Sequence, residues 1–498
     1  MADYTISELE KWDERIKEIV AEEGLDTYPQ EFEICDFNEM LAYEAYAGMP
    51  SHYPHWSFGK AYERKRTLYQ LGIVGLPYEM VINSNPTLAY LMRDNTLLLQ
   101  ILTIAHVYAH NDFFKNNYLF AETHPEYTIE KFKAHADRIR SYIEDPSIGA
   151  EKVEWILDAA HALQFQCRRA KKIKKLSIEE QKKRLIEKSR PRHDPFSSIH
   201  KREKFEPPDL NRLPLEPEED ILLFIRDYNP YLEEWEKDIL TIVVEEANYF
   251  LPQIETKIMN EGWASYWHDT LFRNDNRIKG HETSFAKINA KVTSINRIGL
   301  NPYAIGLRLF QYIENQANKG RLNYDYQKIK DIEQRKQYNK NTNKGKEFIF
   351  DIRKHFSDFT LLNTFIDQEF TDTYNLFVVG KRLNPQKRIY EYYIKSKKTD
   401  DYKQMIINSL YHPPQIKVNT KKTNDKNLYL THQFEYKQLI KDFIPDTLIG
   451  IEYLWGGQVQ LETTEIYKKK KAGEQNKTYE YKRVLYTIKD KKISKKDL

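Results

Sequence analysis

Cysteine is nearly absent from this chain. Among 498 residues there are two, Cys35 and Cys167, far apart and in no CxxC pattern, so neither a disulfide framework nor a cysteine zinc site is expected. Net charge is almost missing too. Lys plus Arg (77) against Asp plus Glu (74) leave +3, which gives no reason to expect nucleic acid or an anionic membrane as partner. No apolar run approaches the roughly 18 residues that a membrane helix needs, so no membrane insertion is expected. The opening MADYTISELEKWDERIKEIVAEEGLD alternates acids and bases on an amphipathic helical pattern and has no apolar signal-peptide stretch, which points to the cytoplasm. What the chain has in quantity is aromatic side chains, 35 Tyr and 24 Phe, together with enough length for about three domains.

The expected fold class is a mainly α N-terminal region, with a zincin-like helical core as one form it could take, followed by a C-terminal α+β domain. Residues 1–167 read as the first half of the helical domain and 218–372 as its second half. Between them, 168–217 is dense in Lys and Arg and then in Pro, and reads as a basic, Pro-rich connector. Residues 373–498 read as the α+β domain with an exposed Lys-rich tail. Within it NLFVVGKR, RIYEYYIKS, QIKVNT, NLYLTHQFE, QVQLETTEIY and TYEYKRVLYTIKD look like strands, short and rich in β-branched and aromatic residues. Helices at about 401–411 and 436–455 interrupt them, and KKKKAGEQNK around Gly473 looks like a hairpin loop. Further up the chain, helices are expected around 39–46, over 61–79 with Gly75 and Pro77 at its end, and from 218 through Phe250, where Pro252 ends or kinks the last of them.

The central stretch is ILTIAHVYAHNDFFKNN, residues 101–117. It sets His106 and His110 one turn apart in an apolar run, so both imidazoles can reach one ion. Burying an imidazole without a partner costs on the order of 1–3 kcal/mol, so the pair belongs either to a polar network or to a coordination site. The third ligand expected is Glu261 in KIMNEGWASYWHD, because two His and a remote Glu form the donor set of many catalytic zinc sites. The zinc-protease signature has a Glu directly after the first His, and here Val107 stands there. A general base must come from elsewhere, and Glu44 and Glu246 are the candidates. His268, with Tyr266 beside it, is the candidate for oxyanion stabilisation, and Asn111 and Asp112 for orienting the histidines. Each has a structural alternative: Glu44 as an exposed carboxylate on its helix, Glu245 and Glu246 as an exposed pair. His52 and His55 lie in an aromatic loop that is either a surface turn pinned by Tyr53 and Trp56 or part of a pocket. His124, His135 and His161 are isolated and read as surface or hydrogen-bonded core histidines.

Taken together, HVYAHNDFFKNN, YEAYAGMPSHYPHWSFGK, TKIMNEGWASYWHD, LNPYAIG, FTLLNTFIDQEF with YNLFVVGKR, and LYLTHQFE with LWGGQVQLETT make the chain resemble the stage V sporulation protein R (SpoVR) family over nearly its whole length. The resemblance implies a bacterial cytoplasmic protein involved in endospore formation, in particular assembly of the peptidoglycan cortex. A second similarity, of NEGWASYWH to the EGWA-type segment of some helical zinc peptidases, implies Glu261 as third metal ligand beside His106 and His110.

Two functions follow as expectations. One is a metal-dependent hydrolase of an amide or related bond, with zinc or another divalent transition metal as cofactor and a peptidoglycan precursor or another protein as target. The other is a non-catalytic regulator or scaffold for cortex assembly, whose His/Glu cluster is structural and whose α+β domain binds a protein partner.

Overall fold

A computed structural model of the chain describes residues 4–72, 78–166, 176–190, 210, 215, 218–274, 281–296, 298–469 and 478–498. Cys167, most of the connector, Gly75 with Pro77 and the loop around Gly473 lie outside the described residues. The chain divides into two compact units, the first made of Met1–Asp137 and Asn248–Tyr411, the second of Arg138–Ala247 and His412–Leu498.

The first unit is built around the helix Leu97–Asn116, which Thr96 caps by accepting from the Leu99 amide. Nearly every residue from Leu98 to Phe114 is buried, whatever its face. Such a helix has no polar side, and it must be enclosed on all sides. The helices Ile6–Glu22, Lys257–Asn274 and Gly345–His355 pack against it, as does a small sheet. Ile101, Leu102, Tyr108 and Phe113 share one apolar core with Trp263, Trp267 and Phe310.

That sheet has the order β1 (Gln30–Cys35), β3 (Thr87–Met92), β2 (Glu79–Ile82), with β1 parallel and β2 antiparallel to β3. A second apolar cluster, including Cys35, Met40, Leu88 and Tyr90, packs around it. The region was expected to be helical. TLAYLM is buried at all six positions and so shows no two-residue alternation, the pattern that betrays a strand with one wet face. The helix expected over 61–79 is Trp56–Gln70, and Glu79 opens β2 instead.

The helical run from 218 is two helices, Ile221–Tyr228 and Glu234–Glu255, parted at Asn229 and Pro230. Pro252 stands inside the second, which runs on to Glu255. In the first unit an antiparallel hairpin, β4 (Val378–Asn384) and β5 (Ile389–Ser396), precedes the helix Thr399–Ser409. The second unit carries a five-stranded sheet in the order β10 (Lys492–Asp497), β9 (Thr478–Lys489), β8 (Gln458–Lys469), β7 (Asn427–Gln433), β6 (Gln415–Val418). The helix Ile444–Trp455 packs on β8 and β9 and ends at Gly456, whose φ of 72° favours glycine as the cap. All six expected C-terminal strands are present. The Lys-rich tail adds a seventh, because KISKKD pairs along β9 while its side chains stay largely exposed.

Cys35 is buried and its thiol is pushed up to about 11 by burial, which suits a packing role over a reactive one. No helix among the described residues is long and apolar enough to cross a membrane.

Candidate metal centre

His106 and His110 leave the same side of their helix, with ring centres 4.5 Å apart. The helix is fixed in rotation by the two residues that follow. Asn111 accepts from the Tyr28 amide and donates to the Tyr28 carbonyl, which ties it to the approach to β1. Asp112 accepts from the Asp26 amide and from Trp263 Nε1, and pairs with Arg353 at 3.5 Å. These two anchor the helix to its surroundings, through Tyr28, Asp26, Trp263 and Arg353 rather than through the histidines they were expected to orient.

Glu261 arrives on the helix Lys257–Asn274, whose start is held by the buried carboxylate of Asp358, accepting from the amides of Ile258 and Met259 at 2.8 Å each. Burial pushes Asp358 up to about 7, since those two amides only partly replace water. One residue beyond Glu261, Gly262 crosses Gly306 of the helix Pro302–Asn318 so closely that a methyl group on either would overlap the other's backbone. The LNPYAIG segment serves the same junction. Asn301 caps the helix, Pro302 occupies its first turn, and Tyr303 is delivered to the site one turn before Gly306.

These elements bring Glu261 Oε2 to 3.8 Å from His106 Nε2 and 3.7 Å from His110 Nε2. Such distances are too long for hydrogen bonds. His106 Nε2 and Glu261 Oε2 are both buried with no hydrogen-bond partner. A fourth group completes the cluster. Glu79, on β2, places Oε1 3.8 Å from His106 Nε2, and donor atoms of Glu79, His106 and His110 lie within 4.8 Å of one another.

The remaining ring nitrogens settle which atoms face the centre. Asn289 donates through Nδ2 to Asp269 at 3.0 Å, which turns its oxygen to His268 Nε2 at 3.2 Å. His268 Nε2 therefore carries the proton, and its Nδ1 accepts from His106 Nδ1 at 3.0 Å. That leaves His106 Nε2 with a bare lone pair. His110 Nδ1 likewise donates to Asn260 Oδ1 at 2.8 Å, which bares its Nε2.

The electrostatics agree with a site shaped for a cation. Burial first, then the adjacent His110, hold His106 neutral, its pKa down to about 3. His268 is lowered chiefly by burial. Burial and then the charge of Glu261 push Glu79 up to about 8, whereas burial of Glu261 is outweighed by its two histidines, which hold it below the usual range. The charge of Glu261, then burial, raise the Tyr303 phenol and keep it neutral. Two imidazoles and two carboxylates, with the orphaned His106 Nε2 and Glu261 Oε2 facing one another, fit a divalent transition metal. Donor atoms around tetrahedral zinc lie about 3.3 Å apart, given bonds of about 2.0–2.1 Å, so the Glu261–His106, Glu261–His110 and Glu79–His106 pairs are a few tenths of an ångström wider.

A cavity of about 320 Å³ reaches the cluster. Glu79, His106, His268 and Tyr303 line it, with Leu99, Leu102, Ile288 and Val292 among its apolar walls. The other sequence candidates stand elsewhere. Glu44 pairs with Lys65 at 2.7 Å and does not line the cavity. Glu246 is buried in the second unit. Tyr266 donates to Glu314 at 2.8 Å. His52 packs among Tyr53 and Phe58, with ring centres 4.2 Å from each, and His55 caps the helix Trp56–Gln70. Sequence reasoning missed Glu79, Asn260, Asn289 and Tyr303. Of these, Tyr303 and Asn260 lay inside motifs already singled out.

The uncharacterized protein YcgB of Escherichia coli (strain K12) is 37% identical over 332 residues, which is 63% of this chain and 64% of that relative. The chain thus spans a little under two thirds of that relative's length. No solved structure matches. The family model described as SpoVR like protein matches residues 3–414, which takes in every residue of the cluster and stops just short of β6. The chain belongs to the SpoVR family.

Proposed function

We propose that His106, His110 and Glu261 hold a divalent transition metal, zinc first among them. We further propose that the chain is a metal-dependent hydrolase of an amide or related bond, acting in the cytoplasm in a sporulation-related process, formation of the peptidoglycan spore cortex. The observation that carries the reading is the convergence of two bare imidazole Nε2 atoms and a buried, unpaired carboxylate oxygen. Membership of the SpoVR family supports the sporulation setting. A helix with HxxxH spacing joined by a glutamate from a second helix is the zincin-like part of the reading.

When bound, the metal supplies Lewis-acid polarisation and a water acidic enough to lose its proton near neutral pH. The chain's residues do the rest. His268 and Asn260 hold the ligand imidazoles in one tautomer. Glu79 faces the cavity and takes the role of general base that Val107 leaves open. Tyr303, neutral and on the cavity wall, donates a hydrogen bond to oxygen as charge develops there. His268 has both ring nitrogens engaged, so it orients His106 and does not donate to a substrate.

One observation favours the scaffold reading. Four protein donors can fill every tetrahedral position, which is the habit of structural zinc sites. A host strain carrying Glu261→Gln separates the two. With normal protein levels, the hydrolase reading expects the cell-wall phenotype of the deletion, and an unaltered cortex would make the protein a scaffold.

A further inference from the structure

The near balance of charge over the whole chain conceals a local excess. Residues 381–398 carry seven Lys and Arg against one acid, Glu391. They form most of the β4–β5 ribbon and its turn, in the first unit. Acids resume at Asp400 and Asp401, where the next helix begins, and Asp401 accepts from Ser396.

The register sorts the ribbon into two unlike faces, because directly opposed residues share a side and neighbours along a strand alternate. On the back, the Tyr393 ring lies across Gly380 so closely that a Cβ there would overlap it. Glu391 on the same face accepts from Arg382 at 3.1 Å and from Asn384 at 2.7 Å. That face satisfies itself. On the front, Lys381 opposes Tyr392 and Leu383 opposes Tyr390, with Ile394 beyond. Leu383, Tyr390, Tyr392 and Ile394 are each half or more exposed. Four large side chains left in solvent on one side of a ribbon mark a binding surface.

The chemistry of the face narrows its occupant. Glu391 is spent on the back, so no acid of the ribbon neutralises Lys381, Lys387, Arg388 or Lys395, and the partner is anionic. A second copy of the ribbon brings the same positive excess and is repelled. Entering an anionic bilayer tip first would bury Lys387 and Arg388. Tyr390 and Tyr392 stand two residues apart on one strand, about 7 Å, which lets two splayed bases stack one on each ring. Lys381 Nζ, 3.9 Å from the Tyr390 ring centre, sets a cation beside the first of them. The phenol hydroxyls offer partners to the 2′-hydroxyl that separates RNA from DNA.

We propose that the front face of the β4–β5 ribbon binds single-stranded RNA, with Tyr390 and Tyr392 stacking on bases and Lys381, Lys387, Arg388 and Lys395 meeting phosphates. This does not depend on the metal centre.

The test is fluorescence anisotropy of the full chain with a labelled oligouridylate of about 15 nucleotides. Tyr390→Ser combined with Tyr392→Ser should weaken binding at least about tenfold, with the salt dependence unchanged. Tyr390→Phe combined with Tyr392→Phe should keep most of the affinity. Lys387→Gln combined with Arg388→Gln should lower the slope of log affinity against log salt by about 1.4. Wild type that does not bind the oligouridylate, or a serine double variant that binds as wild type does, overturns the proposal. Equal affinity for oligothymidylate, polyglutamate or phosphatidylglycerol vesicles also overturns it, because charge alone or another partner would then account for the face. If the serine variant melts early, the Lys387/Arg388 variant decides, and an unchanged salt slope overturns the proposal.

Discussion

Nδ1 of His106 lies 3.0 Å from Nδ1 of His268, two nitrogens of which only one can carry the proton. The Asp269–Asn289 hydrogen bond at 3.0 Å decides between them. His268, expected as an oxyanion stabiliser, thus also meets the His106 imidazole. His268→Ala should weaken zinc affinity by about 10–100-fold, the usual loss when a partner of a ligand imidazole is removed. The helix content and melting of the metal-free protein should change little by comparison. Competition against a chromophoric chelator measures this, and unchanged affinity would contradict the orienting role.

Asn260 makes the matching contact to His110 at 2.8 Å. Asn260→Ala should give a loss of the same order, about 10–100-fold, while Asn260→Asp, which keeps an acceptor, should recover much of it.

The contact between Gly262 and Gly306 sits next to Glu261. Gly262→Ala forces the two helices apart, with no flexible side chain nearby to give way. Overpacking of this kind costs about 1–3 kcal/mol or more. Thermal unfolding should show that loss, and zinc affinity should fall with it, since Glu261 moves away from the histidines. A fully stable Gly262→Ala protein would mean that the helices do not approach as described.

A pH dependence follows from Glu79 and His106. Glu79 is raised from 4.5 to about 8, so the folded, metal-free protein holds a proton that the unfolded chain releases. Stability is therefore lost as pH rises between those values. His106 is lowered from 6.5 to about 3, so its contribution falls as pH drops below 6.5. Between about 7 and 8, above His106 and above the Asp358 value of about 7, Glu79 is the one of these groups that acts. Chelator-treated wild type should lose melting temperature across that window and Glu79→Gln should not. A divalent ion beside Glu79 favours its ionised form, so calorimetry at about pH 7 should detect release of about one proton in wild type and less in the variant.

Much of the centre was legible because it is local. The spacing of His106 and His110 fixes their common direction through helix geometry alone, and Glu261 lies in a tryptophan-rich segment that reads as a buried helix. Glu79 was not legible. It sits on a four-residue strand, EMVI, in a region without alternation, and it reaches the histidines through sheet packing that no sequence interval encodes. Glu44 and Glu246 were plausible as carboxylates on apolar helices, but a helix pattern does not say which neighbour a side chain meets. Glu44 meets Lys65. The C-terminal strands were readable from their residue types, whereas KISKKD was hidden by its lysines, because pairing at a sheet edge asks little of side chains.

The most direct test is metal content. Protein purified without chelators and analysed by elemental mass spectrometry should carry about one equivalent of zinc or a neighbouring transition metal, and a folded His106→Ala variant should carry almost none. No metal in the wild type, or equal metal in the variant, would contradict the account.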